Sequence, residues 1–328
     1  MLEHGGRLRA AARHYGIALA DWIDLSTGIN PFAYPVPPLP LQAWQRLPED
    51  DDGLVDAAAT YYGTRELIPV AGSQAAIQAL PTLIPGERVT VLDPTYAEHP
   101  QAWRARRLRR CAAHTVDAAI DDTDVLVLAN PNNPTGERFA LPRLLDWHAR
   151  LATRGGWLIV DEAFIDVDPA ESLAPFAGRP HLVVLRSLGK FFGLAGARVG
   201  FVLADAALRQ RLTEHLGPWT VSGPARYAAR AALADTDWQQ ATRQALTAAG
   251  KRLAALLRQH LPAPPQGTAL FQWVVHPQAA IWHQALARRA ILVRRFDTPP
   301  ALRFGLPADE AQWRRLDLAL HALEDLPT

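Results

Sequence analysis

The chain has 328 residues, 34 of them basic and 33 acidic, and 49% of it is apolar. That composition fits one large or two modest globular units, and a formal charge of +1 leaves no basic excess to drive binding to a nucleic-acid backbone. The opening MLEHGGRLRAAARHYG lacks the apolar core of a signal peptide, and no apolar run of about 18 residues is present to span a bilayer, so a cytoplasmic protein with neither nucleic-acid nor membrane partners is expected.

Along the chain, a stretch up to a Pro-rich segment at 32–40 precedes the first clear periodicity. Short β-rich apolar runs then alternate with helical patterns: strand 67–70, helix 74–83, strand 88–92, helix 100–107, strand 124–128, helix 141–154, and strands 157–160, 182–185 and 199–203. Asp93-Pro94 and Asn133-Pro134 mark breaks just beyond strand ends. After about Asp205 the texture becomes Ala/Arg/Leu helix, 206–215 and 224–260, followed by a Pro-rich hinge at 261–266. A smaller unit closes the chain: strand 269–275, helix 279–289, strands 291–294 and 302–305, and a helix from Ala308. The alternation predicts an α/β fold with a mostly parallel central sheet in a large domain, 41–210, then a linker helix and a smaller α+β domain, 211–328. Residues 1–40 form an N-terminal segment expected to pack with the small domain or across the site. In open α/β sheets ligands bind beyond the carboxyl ends of the strands.

Residue types narrow the chemistry. Cys111 is the only cysteine, so neither an internal disulfide nor a cysteine-based zinc site can form, and the eleven histidines show no spacing such as HExxH. No structural metal is expected. Only Lys190 and Lys251 carry a side-chain amine, and Lys251 falls inside an amphipathic pattern, 249–261, that makes it an exposed helix residue.

Five segments, each at or just after the end of a strand-like run, place functional side chains at sheet edges. Ser187-Leu-Gly-Lys190 runs on to Arg198 and Gly200, combining an amine, a hydroxyl and a guanidinium with glycines that let backbone approach a ligand. Asp161 ends the run Leu158-Ile-Val-Asp161-Glu-Ala-Phe164, and Asn133 lies in Asn-Pro-Asn-Asn133-Pro-Thr-Gly136. Gly72-Ser73-Gln74 opens an amphipathic helix, where backbone N–H groups and the helix dipole favour a phosphate. Tyr96, in Asp93-Pro-Thr-Tyr96, offers an aromatic face. Taken singly these are also ordinary turns, caps and core residues.

In this order the segments resemble the fold-type-I pyridoxal-phosphate enzymes, the aspartate aminotransferase superfamily, over nearly the whole chain. The resemblance implies that Lys190 is the Schiff-base lysine, that Asp161 pairs with the pyridine nitrogen and that Asn133 donates to the phenolic oxygen. It further implies that Tyr96 stacks on the ring and that Gly72, Ser73, Gln74, Ser187 and Arg198 hold the phosphate. Arg303, in Ala301-Leu-Arg303-Phe-Gly-Leu, is similar to the small-domain arginine that grips a substrate carboxylate, a task suited to a planar guanidinium fork. The resemblance also implies a homodimer.

Within the superfamily, His4-Gly5-Gly6 and Ile29-Asn30-Pro31 are similar to substrate-pocket elements of the threonine-phosphate decarboxylase branch of cobalamin biosynthesis. Phe164 points the same way, because the histidinol-phosphate aminotransferase branch usually has a hydroxyl-bearing tyrosine there. The chain departs from many relatives at Arg46-Leu47-Pro48-Glu49, where a tyrosine commonly reaches the coenzyme phosphate of the other subunit and Leu47 cannot. The implied reaction is decarboxylation of L-threonine O-3-phosphate to 1-aminopropan-2-yl phosphate. A decarboxylase must turn the carboxylate out of the coenzyme ring plane, which anchoring the substrate phosphate achieves; Arg303 and Arg294 could supply that clamp, with Arg295 facing the opposite way along its strand. Histidinol-phosphate transamination is the alternative, and a non-catalytic subunit of a biosynthetic complex is the second.

Overall fold

Helix α1 (Leu8–Tyr15) opens the chain in a computed structural model that describes residues 4–324; residues 1–3 of the expected N-terminal segment lie outside it. Alanine favours the helix, and Gly16 ends it at φ 66°, a conformation that costs glycine little. Leu8, Ala11, Ala12 and Tyr15 pack against the cluster of Trp22, Ala287 and Ala290, which ties α1 to residues far along the chain. Strand β1 (Ile23–Leu25) follows. Two compact units result: residues 4–32, 134–136 and 242–324 form the first, and residues 33–133 with 137–241 form the second.

The second unit contains α2 (Gln42–Gln45), α3 (Leu54–Tyr62), β2 (Leu67–Val70), α4 (Ser73–Leu83), β3 (Arg88–Leu92), α5 (Glu98–Ala102) and β4 (Arg107–Cys111). It continues with α6 (Val116–Ala119), β5 (Val125–Ala129), α7 (Leu141–Ala152), β6 (Trp157–Asp161), β7 (Leu182–Ser187), β8 (Gly200–Ala204), α8 (Ala206–Leu216) and α9 (Gly223–Ala234). The strands make one seven-stranded sheet in the order β2-β8-β7-β6-β5-β3-β4. It is parallel from β4 through β7, while β8 runs antiparallel to both β7 and β2. Strands β5 and β6 are buried throughout, which is why VLVLA and WLIVD read as continuous apolar runs rather than alternating ones.

Of the predicted helix 100–107 only residues 100–102 are helical. Helix α5 ends at Ala102, and Arg107–Cys111 is the edge strand β4, with Arg107, Arg109 and Arg110 exposed. Solvated arginines along an edge erase the apolar alternation by which a strand is recognised, and they also discourage edge-to-edge pairing. The predicted helical run 224–260 is broken as well. Asp235 leaves helical geometry (φ −88°, ψ 84°) and its side chain accepts the Trp238 N–H at 3.0 Å, capping the next helix, α10 (Thr236–His260).

The first unit continues with β9 (Gln266–Thr268), β10 (Phe271–Val275), α11 (Ala279–Ala287), β11 (Ile291–Asp297), β12 (Pro300–Gly305) and α12 (Glu310–Glu324). Its five-stranded sheet has the order β1-β11-β12-β10-β9, with β1 parallel to β11 and the other pairs antiparallel. No helix among the described residues is long and apolar enough to cross a membrane.

One surface tie in the second unit has a pH signature. Asp124, just before β5, accepts the Glu87 and Arg88 N–H groups and the Arg88 guanidinium. The Arg88 hydrogen bond outweighs partial burial and holds the Asp124 carboxyl down to about 2. A carboxylate whose folded pKa is depressed contributes stability above its unfolded value, about 4, and loses it as the pH falls. The stability gap between the native chain and Asp124→Asn is therefore expected to close between about pH 4 and pH 2. Urea unfolding at several pH values checks this, and a gap independent of pH would contradict it.

Candidate active site

Within the second unit, strand ends gather a single polar pocket. Ser73, Gln74, Tyr96, Asn133, Asp161, Ser187, Lys190 and Arg198 line it together with Ala129, Ala163 and Phe164. Asp161 is the last residue of β6 and Ser187 the last of β7, and Lys190 lies in the turn that follows. Ser73 opens α4 directly after β2. Eight of the nine residues expected to bind a coenzyme thus line one pocket.

Gly72, the ninth, explains how its neighbours approach so closely. It has φ 72°, and a Cβ there would lie 2.5 Å from the Arg198 Nη2 atom. A Cβ on Gly200, paired with Ser187 across β7 and β8, would lie 2.5 Å from the Ser73 backbone nitrogen. Two missing side chains therefore let a guanidinium and a helix N-terminus converge, and together with the Ser187 and Ser73 hydroxyls they form a donor-rich cradle suited to an anion.

At the other end of the pocket Asp161 is buried, and both its oxygens are engaged. Oδ1 accepts the Ala163 N–H at 3.0 Å, and Oδ2 lies 3.0 Å from His99 Nε2. His99 is itself only 2% exposed, so the imidazole orients the carboxylate from behind. Sequence reasoning missed His99, whose Glu-His-Pro setting in α5 carries no motif. Asn132 is fixed by a 2.9 Å hydrogen bond to the Pro94 carbonyl, holding the loop that presents Asn133. The Lys190 ammonium sits 5.5 Å from the centre of the Phe164 ring. Gln74 donates to Glu98 at 2.8 Å and accepts from the Tyr96 hydroxyl at 3.4 Å, joining α4 to the Tyr96 segment.

Behind the pocket lies a second arrangement that the sequence conceals. Arg186 is buried, donating to Glu162 and Ser172 at 3.0 Å each and to Asp166, with Tyr62 packed against its guanidinium. Glu162 also accepts the Ser172 hydroxyl and the Leu173 N–H, and the Tyr61 hydroxyl donates to Asp166. Burial opposes charge on Arg186, but Asp166 and Glu162 overcome it and raise its pKa further. Burial raises the Glu162 pKa against the pull of Arg186. Since Glu162 follows Asp161 and Arg186 precedes Ser187, this network fixes the two strand ends that carry pocket residues.

The residues expected to meet substrate lie in the first unit. The Gly6 N–H donates to Ser26 Oγ at 2.7 Å, Arg303 Nη2 donates to the Ser26 carbonyl at 2.8 Å, and Gly5 packs so closely that a Cβ would lie 2.3 Å from the same oxygen. Arg294 is the cross-strand partner of Arg303, so the two share a face of the sheet. His4, Gly5, Arg294 and Arg295 line a cleft of about 610 Å³ with Arg7 and His283, whereas Asn30 and Arg303 do not line it. Asn30 is buried and accepts the Phe32 N–H at 2.8 Å, and Arg303 is 7% exposed with Phe271 beneath its guanidinium.

The sequence pattern described as aminotransferase class I and II matches residues 47–322, and the chain belongs to that family. A threonine-phosphate decarboxylase of Pseudomonas aeruginosa is 58% identical over 98% of this chain and 97% of its own length. One from Sinorhizobium sp. is 41% identical over 98% of both chains. Among solved structures, histidinol-phosphate aminotransferase from Sinorhizobium meliloti, in complex with pyridoxal-5'-phosphate, superposes with a TM-score of 0.82 at 21% identity, covering 98% of this chain and 95% of that one.

Proposed function

We propose that this chain is a pyridoxal-phosphate-dependent carboxy-lyase that converts L-threonine O-3-phosphate into carbon dioxide and 1-aminopropan-2-yl phosphate, a step of cobalamin biosynthesis. The observation that carries the proposal is the 58% identity, across 98% of the chain, to a threonine-phosphate decarboxylase.

The pocket chemistry supports the coenzyme. Lys190 would hold it through its amine, Asp161 would keep the proton on the pyridine nitrogen, Asn133 would donate to the phenolic oxygen and Tyr96 would stack on the ring. Gly72, Ser73, Gln74, Ser187 and Arg198 would hold the phosphate in the donor-rich cradle. When bound, the coenzyme supplies an electron sink for the bonding pair left behind by carbon dioxide. His99 fixes the direction of the Asp161 carboxylate, and Phe164 gives Lys190 an apolar neighbour with no hydroxyl to compete for the phenolic oxygen.

His4, Gly5, Asn30, Arg294 and Arg303 would recognise the substrate, the two arginines taking the phosphate. Anchoring that end would leave the carboxylate unclamped, and the bonding pair it gives up on departing as carbon dioxide is what the coenzyme would take up. Arg303→Lys is expected to raise the KM for threonine phosphate about tenfold or more while changing kcat less, because a point charge replaces a two-pronged donor. Steady-state kinetics check this, and an unchanged KM would remove Arg303 from the phosphate clamp.

The reading includes a cytoplasmic homodimer. Leu41, Trp44 and Leu47 are exposed at 63%, 66% and 63%, an apolar stretch that a second copy would cover. Leu47 then contributes burial where many relatives place a tyrosine.

A further inference from the structure

The C-terminal halves of α10 and α12 bring four side chains of types that can bind metal together in the first unit. Asp317, His321 and Glu324 follow one another at spacings of four and three residues, which puts them along one face of α12. His260, the last residue of α10, meets that face: its Nε2 lies 2.7 Å from Asp317 Oδ1, and its Nδ1 lies 2.6 Å from Glu324 Oε1. His321 Nδ1 is 3.3 Å from Glu324 Oε2, and donor atoms of His260, His321 and Glu324 all lie within 4.8 Å of one another. The His260 side chain is 6% exposed, whereas those of Asp317 and His321 are 52% and 70% exposed, so the cluster has a fixed inner member and an open outer side. It shares no residue with the coenzyme pocket or with the substrate-recognition set.

We propose that this cluster binds one divalent transition-metal ion of the zinc class. His260 Nδ1, His321 Nδ1 and a Glu324 oxygen are the protein ligands, and water takes the fourth position on the open side. Asp317 is not a ligand. It accepts the Nε2–H of His260, the arrangement that commonly supports a metal-bound imidazole, and the ion replaces the proton that Nδ1 now shares with Glu324. Two imidazoles and one carboxylate suit zinc, cobalt or nickel and disfavour magnesium and calcium, which take oxygen donors. The 3.3 Å between His321 Nδ1 and Glu324 matches the donor separation of about 3.3 Å expected of a tetrahedral ion with ligands at about 2.0 Å, and the 2.6 Å hydrogen bond from His260 must open by about 0.7 Å, so side-chain rotations complete the site. Binding there joins the last turn of α10 to the last turn of α12. The fold supplies this proximity between residues 61 positions apart, which is why consecutive spacing in the sequence gave no sign of it.

The experiment uses the full chain with its coenzyme and without an affinity tag, titrated with Co²⁺ while the visible d–d bands are followed, then with Zn²⁺ by calorimetry. One ion per chain is expected, with the intense bands of four-coordinate cobalt and a rise of a few degrees in unfolding temperature at saturating zinc. His321→Ala, at a 70% exposed position, is expected to keep the fold and the basal activity while weakening binding at least about tenfold. Asp317→Asn is expected to weaken it less. Cobalt that stays six-coordinate and pale, or zinc that binds His321→Ala as well as the native chain, would overturn the proposal and leave the cluster as an ion-paired clasp between helix ends.

Discussion

Lys190→Ala is expected to abolish carbon dioxide release from threonine phosphate, by at least about a thousand-fold, together with the visible band of the coenzyme-bound protein. The size of the effect follows from the scarcity of amines. Lys251, the only other lysine, is exposed on α10 and outside the pocket formed by the strand ends of the second unit. Nothing else in that pocket offers a primary amine, so no neighbour can take over. Absorbance and carbon dioxide evolution measured on the same preparation check the prediction, with circular dichroism to confirm that the variant folds. A variant that kept both signals would separate the chemistry from Lys190.

The second large effect falls on stability. Arg186→Met is expected to destabilise the chain by about 3–5 kcal/mol, because it leaves Glu162 and Asp166 buried beside each other without their shared cation. Methionine fills much of the volume, so the loss comes mainly from charge rather than from a cavity. Burial already raises the Glu162 pKa, and without Arg186 it rises further. The deficit should therefore shrink as the pH is lowered and the carboxylates take up protons. Denaturant unfolding of the native chain and the variant, at neutral and mildly acidic pH, measures both features. A loss below about 1 kcal/mol would mean that the network is not held by its ion pairs.

The same two residues show what a sequence reveals and what it hides. Asp161 was legible because it ends an apolar strand with a polar residue, and Lys190 and Asn133 because they lie in the turns just beyond the carboxyl ends of β7 and β5, the place where open sheets bind ligands. Arg186 is the next-to-last residue of β7 and reads as the start of the following loop, yet it is 2% exposed and faces carboxylates from residues 162 and 166. Burial of a charge depends on partners, and partners separated by twenty or more positions leave no periodic trace. His99 was hidden for the same reason. Its function rests on a 3.0 Å contact with Asp161, 62 positions away.

Elements followed the same logic. The fully buried strands β5 and β6 announced themselves through uninterrupted apolar residues, whereas the exposed edge strand β4 was missed because its solvated arginines erase the apolar alternation. The short β1 was missed because three residues are too few for a period to show; its hydrogen bonds come from β11, at the other end of the chain. Elements whose identity comes from their own burial were legible, and those defined by a distant neighbour were not.

The most direct test of the account is a product balance. The purified protein with pyridoxal phosphate is given threonine phosphate and 2-oxoglutarate, and carbon dioxide, 1-aminopropan-2-yl phosphate and glutamate are measured together. The account predicts carbon dioxide and the amine phosphate in equal amounts, with no glutamate and no dependence on 2-oxoglutarate. Glutamate formed without carbon dioxide would contradict it and make the chain an aminotransferase.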